Sequence, residues 1–396
     1  MKDPELILLP VLPASVDAEG KLFLTQKYLD GVAEYAKNWP GPVTTLARLT
    51  NQPVRDLDPV EVTLGNGPNG IEIRPQDLGQ LASRLKGAAG VMAFLAPDEA
   101  PMLQICNEIK VPVVFVSEYS PKTERQIMSA EVSNPVIRMR RRAWLQGAER
   151  MRRKMLQKSA GLQCSGTPTY DIYRPLQSNA LLFFDNRVRE ADILLDDALS
   201  LKTSEILRKQ PLRLVFGGRL TAMKGVLDLP RIAKALVNLG VPFSLDIVGD
   251  GPLTEELKSA ISAPPLANCV ALHSPMDFRT EWIPYLKTSA DLFICPHPQG
   301  DPSSTYPEVM SCGVAIAGYA NEAFSGIVSH SNSGFLSPIG KPALLAQRIA
   351  QLHEDRHELA VAMSRAVAFA RKHTFEATFA RRMDHLASSV GLVTCP

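Results

Sequence analysis

The chain has 396 residues, 45% hydrophobic and 21% charged, with a formal net charge of +2. That length accommodates two domains of ordinary size, the composition excludes a disordered chain, and the near-neutral balance excludes whole-molecule steering toward nucleic acid. Six cysteines stand without a CxxC pair, several inside strand-like runs. They read as buried free thiols in a reducing compartment, not as disulfides or zinc ligands. The N-terminus runs Met1-Lys-Asp-Pro-Glu into Leu6-Ile-Leu-Leu9, with Pro10 and Pro13 close behind. No secretory signal is read there, and no apolar run is long enough to cross a bilayer, so a cytoplasmic location is expected.

Leu6 to Leu12 reads as a first strand, followed by a loop ending at Gly20-Lys21 and an amphipathic helix from Leu22 to Asn38. Strand, Gly-containing loop and helix open a Rossmann-like unit. Val43 to Leu49 is a second strand. Gly65-Asn-Gly-Pro-Asn-Gly70 formally contains GxGxxG, but Ile71-Glu-Ile-Arg alternates as a strand does, so a hairpin turn is expected there. Val91–Leu95, a helix over Asp98–Ile109 and a strand over Val111–Ser117 continue the α/β rhythm. Glu118 and Tyr119 follow that strand's carboxyl end, either as cleft residues or as a helix-capping acid and a wall aromatic. No histidine precedes His273.

Arg138 to Lys158 is densely basic, with Glu149 its only acid and Trp144, Met151, Met155 and Leu156 at helical spacings. A basic amphipathic helix with Trp suits an anionic membrane surface; a salt-bridged solvated face or an acidic-acceptor groove is the other reading. No nucleic acid partner is expected, because no binding module accompanies the charge.

In the C-terminal half, Leu212-Arg-Leu-Val-Phe ends in Gly217-Gly218-Arg219, and Lys224-Gly225 opens a helix to about Leu239. An Arg fork, a Lys and a helix N-terminus at a strand's carboxyl end focus positive potential where a diphosphate would leave. Phe243–Val248 runs into Gly249-Asp-Gly251-Pro, and Val270–Ser274 is another strand. Asp291-Leu-Phe-Ile-Cys295 is a buried strand. A Gly/Pro-rich loop follows, then the short helix-compatible run Tyr306-Pro-Glu308-Val-Met-Ser-Cys-Gly313 and the strand Val314–Tyr319. Glu308 therefore sits beyond a strand's carboxyl end, where open α/β sheets bind ligands and where a carboxylate can accept from a ribose diol. His353-Glu-Asp-Arg-His357 matches HExxH but falls in a charged junction between helices, and is read as coincidence.

The run Glu308-Val-Met-Ser-Cys-Gly313, preceded in order by Gly218-Arg-Leu220, Lys224-Gly225 and Gly249-Asp-Gly-Pro252, resembles the retaining glycosyltransferases of group 1 (family 4) with the GT-B fold. The family's first Glu is missing: Gly300 stands eight residues before Glu308, with Asp301 as the nearest acid. The resemblance implies two Rossmann-like domains facing across a cleft, with the C-terminal helix crossing back onto the N-terminal domain. The expected division is residues 1–172, a crossover over 173–210, a nucleotide-sugar domain over 211–374 and the returning helix over 375–396.

The resemblance also implies roles. Arg219 and Lys224 hold the leaving diphosphate, Glu308 the ribose, and Asp301 with nearby loop amides the donor sugar. Gly218, Gly249, Gly251, His273, Ser274, Ser303, Ser304 and Thr305 line the nucleotide-sugar site. Gly20 and Lys21 face the cleft. Glu118 stands where relatives carry a histidine and orients acceptor or sugar. The implied reaction moves a sugar from a nucleoside-diphospho-sugar, UDP or GDP in the first place, to an acceptor hydroxyl with retention. Neither a metal nor a cofactor is expected, since the nucleotide-sugar is a substrate. A lipid-linked acceptor and peripheral contact with the inner membrane face through 138–158 belong to the same expectation. An inactive sugar-nucleotide-binding or scaffold protein and a GT-B epimerase stay open beside it.

Overall fold

The computed structural model describes residues 3–52, 59–65, 69–132 and 134–392. Among these, two fully parallel sheets carry the architecture. The N-terminal sheet has seven strands, in the order Ala180–Phe183, Gly161–Ser165, Val113–Ser117, Gly90–Phe94, Leu6–Leu9, Val43–Ala47 and Ile71–Ile73. The C-terminal sheet has six, in the order Val270–His273, Phe243–Val248, Leu212–Gly217, Leu292–Cys295, Ala315–Tyr319 and Phe335–Ser337. Parallel strands need helical crossovers that cover both faces, which is why runs such as Leu6–Leu9 and Leu292–Cys295 are apolar throughout and wholly buried. In the C-terminal sheet the strand order reverses between Leu212–Gly217 and Leu292–Cys295, which puts a crevice at their carboxyl ends.

The last helix, Phe375–Ser389, returns to the N-terminal half. Phe375, Phe379, Met383 and Leu386 pack with Leu6, Leu8, Val32 and Tyr35 in one apolar cluster. Each such side chain contributes about 1.5–3 kcal/mol by burial, enough to fix the crossing. The fold is GT-B: two Rossmann-like halves and a helix that crosses between them.

Three local expectations change. Leu22–Thr25 is not the start of a helix. It pairs antiparallel with Ala14–Val16 and Pro59–Val62 in a small side sheet, and Thr25 then caps the helix Gln26–Asn38. The apolar and aromatic residues of Leu22-Phe-Leu suit that half-buried ribbon. The N-terminal sheet extends past residue 172, because Ala180–Phe183 adds an edge strand beside Gly161–Ser165. Residues 196–206 then form a helix, and Phe184, Val188, Ile193, Leu194 and Ile206 join the C-terminal core, so the true connection is short. Lys224 does not open a long helix. It ends a 3₁₀ turn, Ala222–Lys224, and the helix begins only at Leu229. HExxH falls at the junction between helices, as expected, with His353 in the last turn of Pro342–Glu354 and His357 in the next helix, Arg356–Lys372.

The centre of the formal GxGxxG, residues 66–68, lies outside the described residues. Gly65 and Ile71 on either side form an antiparallel bridge, as a hairpin requires. Cys106, Cys164, Cys295 and Cys312 are buried free thiols, and Cys395 lies outside the described residues.

Candidate active site

Three glycine-bearing loops meet at the carboxyl ends of the central C-terminal strands. Gly249 has φ +149° and lies directly on the Gly218 carbonyl, where a Cβ would collide. Gly225, in the left-handed region at φ +64°, lies in the same way on the Pro296 carbonyl. Gly251 leaves 2.6 Å between a Cβ position and the Leu220 carbonyl oxygen. The amide of Leu220 donates to Asp250 O at 2.8 Å, and that of Gly249 to His273 O at 3.1 Å. Backbone thus packs on backbone, and the loops bring Arg219, Lys224 and the 296–304 segment to one place.

There Lys224 Nζ donates to Asp301 Oδ2 at 2.9 Å, with both side chains largely shielded. Arg219 is exposed on the adjoining turn. Glu308 stands in the first turn of Thr305–Ser311 and is only 5% exposed at the side chain; Arg187 Nε donates to its Oε1 at 3.3 Å. Ser303 Oγ contacts Thr305 Oγ1 at 3.0 Å, and Ser304 O accepts from the Glu308 amide, so the three hydroxyl residues shape the turn that presents Glu308. His273 is anchored by its ring to Asp246 at 2.7 Å, and Tyr285 donates to the same carboxylate at 2.6 Å. Ser274 follows it in the loop after the strand.

The N-terminal wall supplies the opposite charge. Glu118 and Tyr119 leave the carboxyl end of Val113–Ser117. Burial pushes the Glu118 carboxyl up to about 7; the carboxylates of Asp185 and Asp301 add to this, while Lys27 and a hydrogen bond from Tyr119 oppose it. Burial raises the Tyr119 phenol as well, reinforced by Glu118 and Asp301 and opposed by Arg219. Lys27 pairs with Asp185 at 2.5 Å, and that carboxylate raises its pKa, with smaller contributions from Glu308 and Glu118. Residues from both halves therefore share one electrostatic site.

The walls also touch directly. Thr123 Oγ1 donates to Gly300 O at 3.1 Å, and Ser120 Oγ donates to Glu322 Oε2 at 2.8 Å. Lys122 lies 3.4 Å from the other Glu322 oxygen. A side chain at position 300 would begin 3.1 Å from the Glu322 carboxylate and 2.9 Å from Thr123 Oγ1. A carboxylate therefore does stand beside position 300, but Glu322 supplies it from the first turn of the helix Glu322–Ser331, while Asp301 turns to Lys224.

Gly20 and Lys21 fall elsewhere than on a βα loop. They form the hairpin turn of the side sheet, where Lys21 pairs with Glu19 at 3.4 Å and Glu61 at 3.7 Å. In that part of the chain the lysine tied to the site is Lys27. Lys27, Asp185, Arg187, His297 and Glu322 escape a motif-based reading. The signal for Asp185 and Arg187 was their place just after the strand Ala180–Phe183. His297 is buried against Phe216 and Tyr306, and among the described residues neither ring nitrogen meets a partner; burial, with Lys224 nearby, holds its pKa well below the usual range.

The comparisons with known proteins bear on the fold and the C-terminal sequence pattern. Residues 200–368 match the model of the family Glycosyl transferases group 1. The amylovoran biosynthesis glycosyltransferase AmsK of Erwinia amylovora is 28% identical over 170 residues, 41% of each chain. The putative colanic acid biosynthesis glycosyltransferase WcaL of Escherichia coli K12 is 27% identical over 163 residues, covering 39% of this chain and 40% of that one. The chain thus aligns with about two fifths of the length of either relative. Among solved structures, Anabaena HepE in complex with UDP superposes with a TM-score of 0.66 at 16% identity, covering 98% of this chain and all of that one. WaaG, a glycosyltransferase involved in lipopolysaccharide biosynthesis, follows with a TM-score of 0.57 at 12% identity over 96% of this chain and 98% of its own. The C-terminal half carries the group 1 glycosyltransferase sequence pattern, and the whole chain has the GT-B fold.

Proposed function

We propose that this protein transfers a sugar from a nucleoside-diphospho-sugar to an acceptor hydroxyl, with retention at the anomeric carbon and without a metal ion. The observation that carries the reading is the Lys224–Asp301 pair, at the mouth between the glycine loops and within the field of Glu118. A diphosphate entering beside Arg219 takes Lys224 from Asp301, and the freed carboxylate then accepts from hydroxyls of the donor sugar. As the C1–O bond to phosphate breaks, Arg219 and Lys224 balance the growing negative charge, the function a divalent ion serves elsewhere. The acceptor oxygen attacks C1 on the leaving-group face, and its proton passes to the departing phosphate oxygen. Glu308 receives the ribose, and Glu118 accepts from an acceptor or sugar hydroxyl.

The group 1 match and the UDP complex of a protein of the same fold support a UDP-sugar donor. The two curated relatives are named for amylovoran and colanic acid biosynthesis, which supports an acceptor hydroxyl in polysaccharide biosynthesis, and a lipid-linked acceptor is part of the same proposal. The helix Pro135–Leu156 fits that setting. Arg152 is held inward by Glu124 at 2.5 Å, whereas Met139 and Trp144 are 67% and 64% exposed beside exposed Arg140, Arg141 and Arg142. Such a face suits peripheral contact with anionic lipid.

The test is direct. Purified protein is offered UDP-, GDP-, ADP-, CDP- and dTDP-sugars, and release of the free nucleotide is followed with wild type and Lys224→Ala. One nucleotide-sugar should be turned over by wild type and barely by the variant. Nucleotide binding without turnover, even with membrane-extracted acceptors, would favour a sugar-nucleotide-binding protein without catalysis, a reading that Gly300 in place of Glu supports.

A further inference from the structure

Arg187 lies in the connection between the two sheets, yet its side chain is committed to the nucleotide side of the cleft. Its guanidinium carbon sits 4.1 Å from the centroid of the Phe278 ring, and its Nε reaches Glu308 Oε1 at 3.3 Å. It also lies within the field of Asp277. Phe278 opens the helical turn Phe278–Trp282 that follows the strand Val270–His273, and Asp277 caps that turn through the amides of Arg279 and Thr280. Trp282, at the end of the turn, packs against Gly217, so the turn is seated on the strand that leads to Arg219.

We infer that Arg187 is a nucleotide-recognition residue that positions Glu308 for the ribose and, stacked on Phe278, forms one wall of the nucleoside subsite. The inference rests on the ribose role proposed for Glu308. A carboxylate as enclosed as Glu308 is costly as an ion unless a cation accompanies it, and neutral ribose hydroxyls cannot take that part. Arg187 engages one oxygen through a single N–H, which leaves the rest of the carboxyl group with acceptor capacity for a 2′,3′-diol. A planar guanidinium backed by an aromatic ring presents a flat surface to a base, which a lysine cannot. The ligand class is a ribonucleoside diphosphate, and the selectivity conferred is for ribose over 2′-deoxyribose.

The experiment is calorimetric titration of UDP against 2′-deoxy-UDP, and of GDP against 2′-deoxy-GDP. It uses wild type, Glu308→Gln, Arg187→Met and Arg187→Lys, each first confirmed folded by its melting curve. Wild type should prefer one ribonucleotide over its deoxy counterpart by about tenfold or more, since a site built for a hydroxyl is left unpaired without it. Glu308→Gln and Arg187→Met should both lose most of that preference. Arg187→Lys, which keeps the charge but not the plane, should keep the preference while binding both nucleotides more weakly. Loss of the preference in Glu308→Gln together with its full retention in Arg187→Met would overturn the role of Arg187 and leave the ribose assignment intact. If Glu308→Gln keeps the wild-type preference, or wild type binds none of the four nucleotides, the ribose assignment itself falls and takes this inference with it.

Discussion

The two walls of the cleft rest on the same parallel-sheet plan, yet they are made of different material. On the C-terminal wall the geometry is backbone: Gly225, Gly249 and Gly251 lie on the carbonyls of Pro296, Gly218 and Leu220, where a Cβ would push the loops apart. On the N-terminal wall it is side chains: Glu118, Tyr119 and Ser120 at one strand end, with Lys27 and Asp185 from elsewhere closing around them. The first wall suits a ligand part that varies little, a diphosphate held by amides, one guanidinium and one ammonium. The second suits a part that varies between proteins, because single side chains can be exchanged without moving the loops.

The largest way to break the contrast is on the backbone-built wall. Lys224→Ala, or Arg219→Ala, should lower kcat/KM for the nucleotide-sugar by about 10²–10³-fold, as removal of one preorganised donor does. Steady-state kinetics check it, and near-wild-type turnover in both variants would remove the leaving-group role.

Next comes the pair itself. In Asp301→Asn, Lys224 loses its resident counter-ion, so UDP should bind several-fold tighter, while kcat should fall about 10–100-fold if the carboxylate serves the sugar as proposed. Opposite movement of the two parameters is the signature to look for. A variant weakened in both would mean that Asp301 only shapes the loop.

How far these walls can be read in advance follows from what they are made of. The glycine loops announce themselves because only glycine tolerates a carbonyl at such range, and their order along the chain survives as a pattern. Glu308 is legible for the same reason, set at a fixed distance beyond a strand end and before Gly313. Lys27, Arg187 and Glu322 carry no such mark. Their partners lie 158, 121 and 202 positions away, so an ordinary surface charge becomes a site residue only through tertiary packing. The misread turn at Gly20-Lys21 has the same origin, since Leu22–Thr25 is recruited to a ribbon by Pro59–Val62, a partner that local periodicity does not reveal.

Position 300 tests whether a motif or a place in space matters. Gly300→Glu would restore the family spacing to Glu308, but its Cβ meets Thr123 and the Glu322 carboxylate at 2.9–3.1 Å. The single change should lower activity about tenfold through crowding and like-charge repulsion. Adding Glu322→Ala makes room, and the double variant should recover most of the loss. If the single variant is instead more active than wild type, Glu322 does not occupy the functional place of the missing acid.

The smallest expected effect concerns the side-chain wall and its protonation. Because burial and the neighbouring carboxylates hold Glu118 at about 7, it is largely protonated below neutrality and ionises as the pH passes that value. If the ionised form accepts from the hydroxyl that reacts, kcat/KM should rise through about pH 7, and Glu118→Gln should be flat there and several-fold less active at pH 8. Stability runs the other way. The folded protein holds this proton at pH values where the unfolded chain, with glutamate in its usual range, has released it. The contribution of Glu118 is therefore fully present below that range and is lost as the pH rises toward 7. Glu118→Gln removes this decline, so its melting temperature relative to wild type should climb between about pH 4.5 and pH 7 and level off above. Activity that rises with pH while stability falls, both cancelled by one neutral isostere, would tie the two behaviours to the same carboxylate. The helix that follows is capped by Ser120, whose hydroxyl accepts from the Thr123 amide, so a wild-type profile indifferent to the substitution would leave Glu118 a buried wall residue with no part in the reaction.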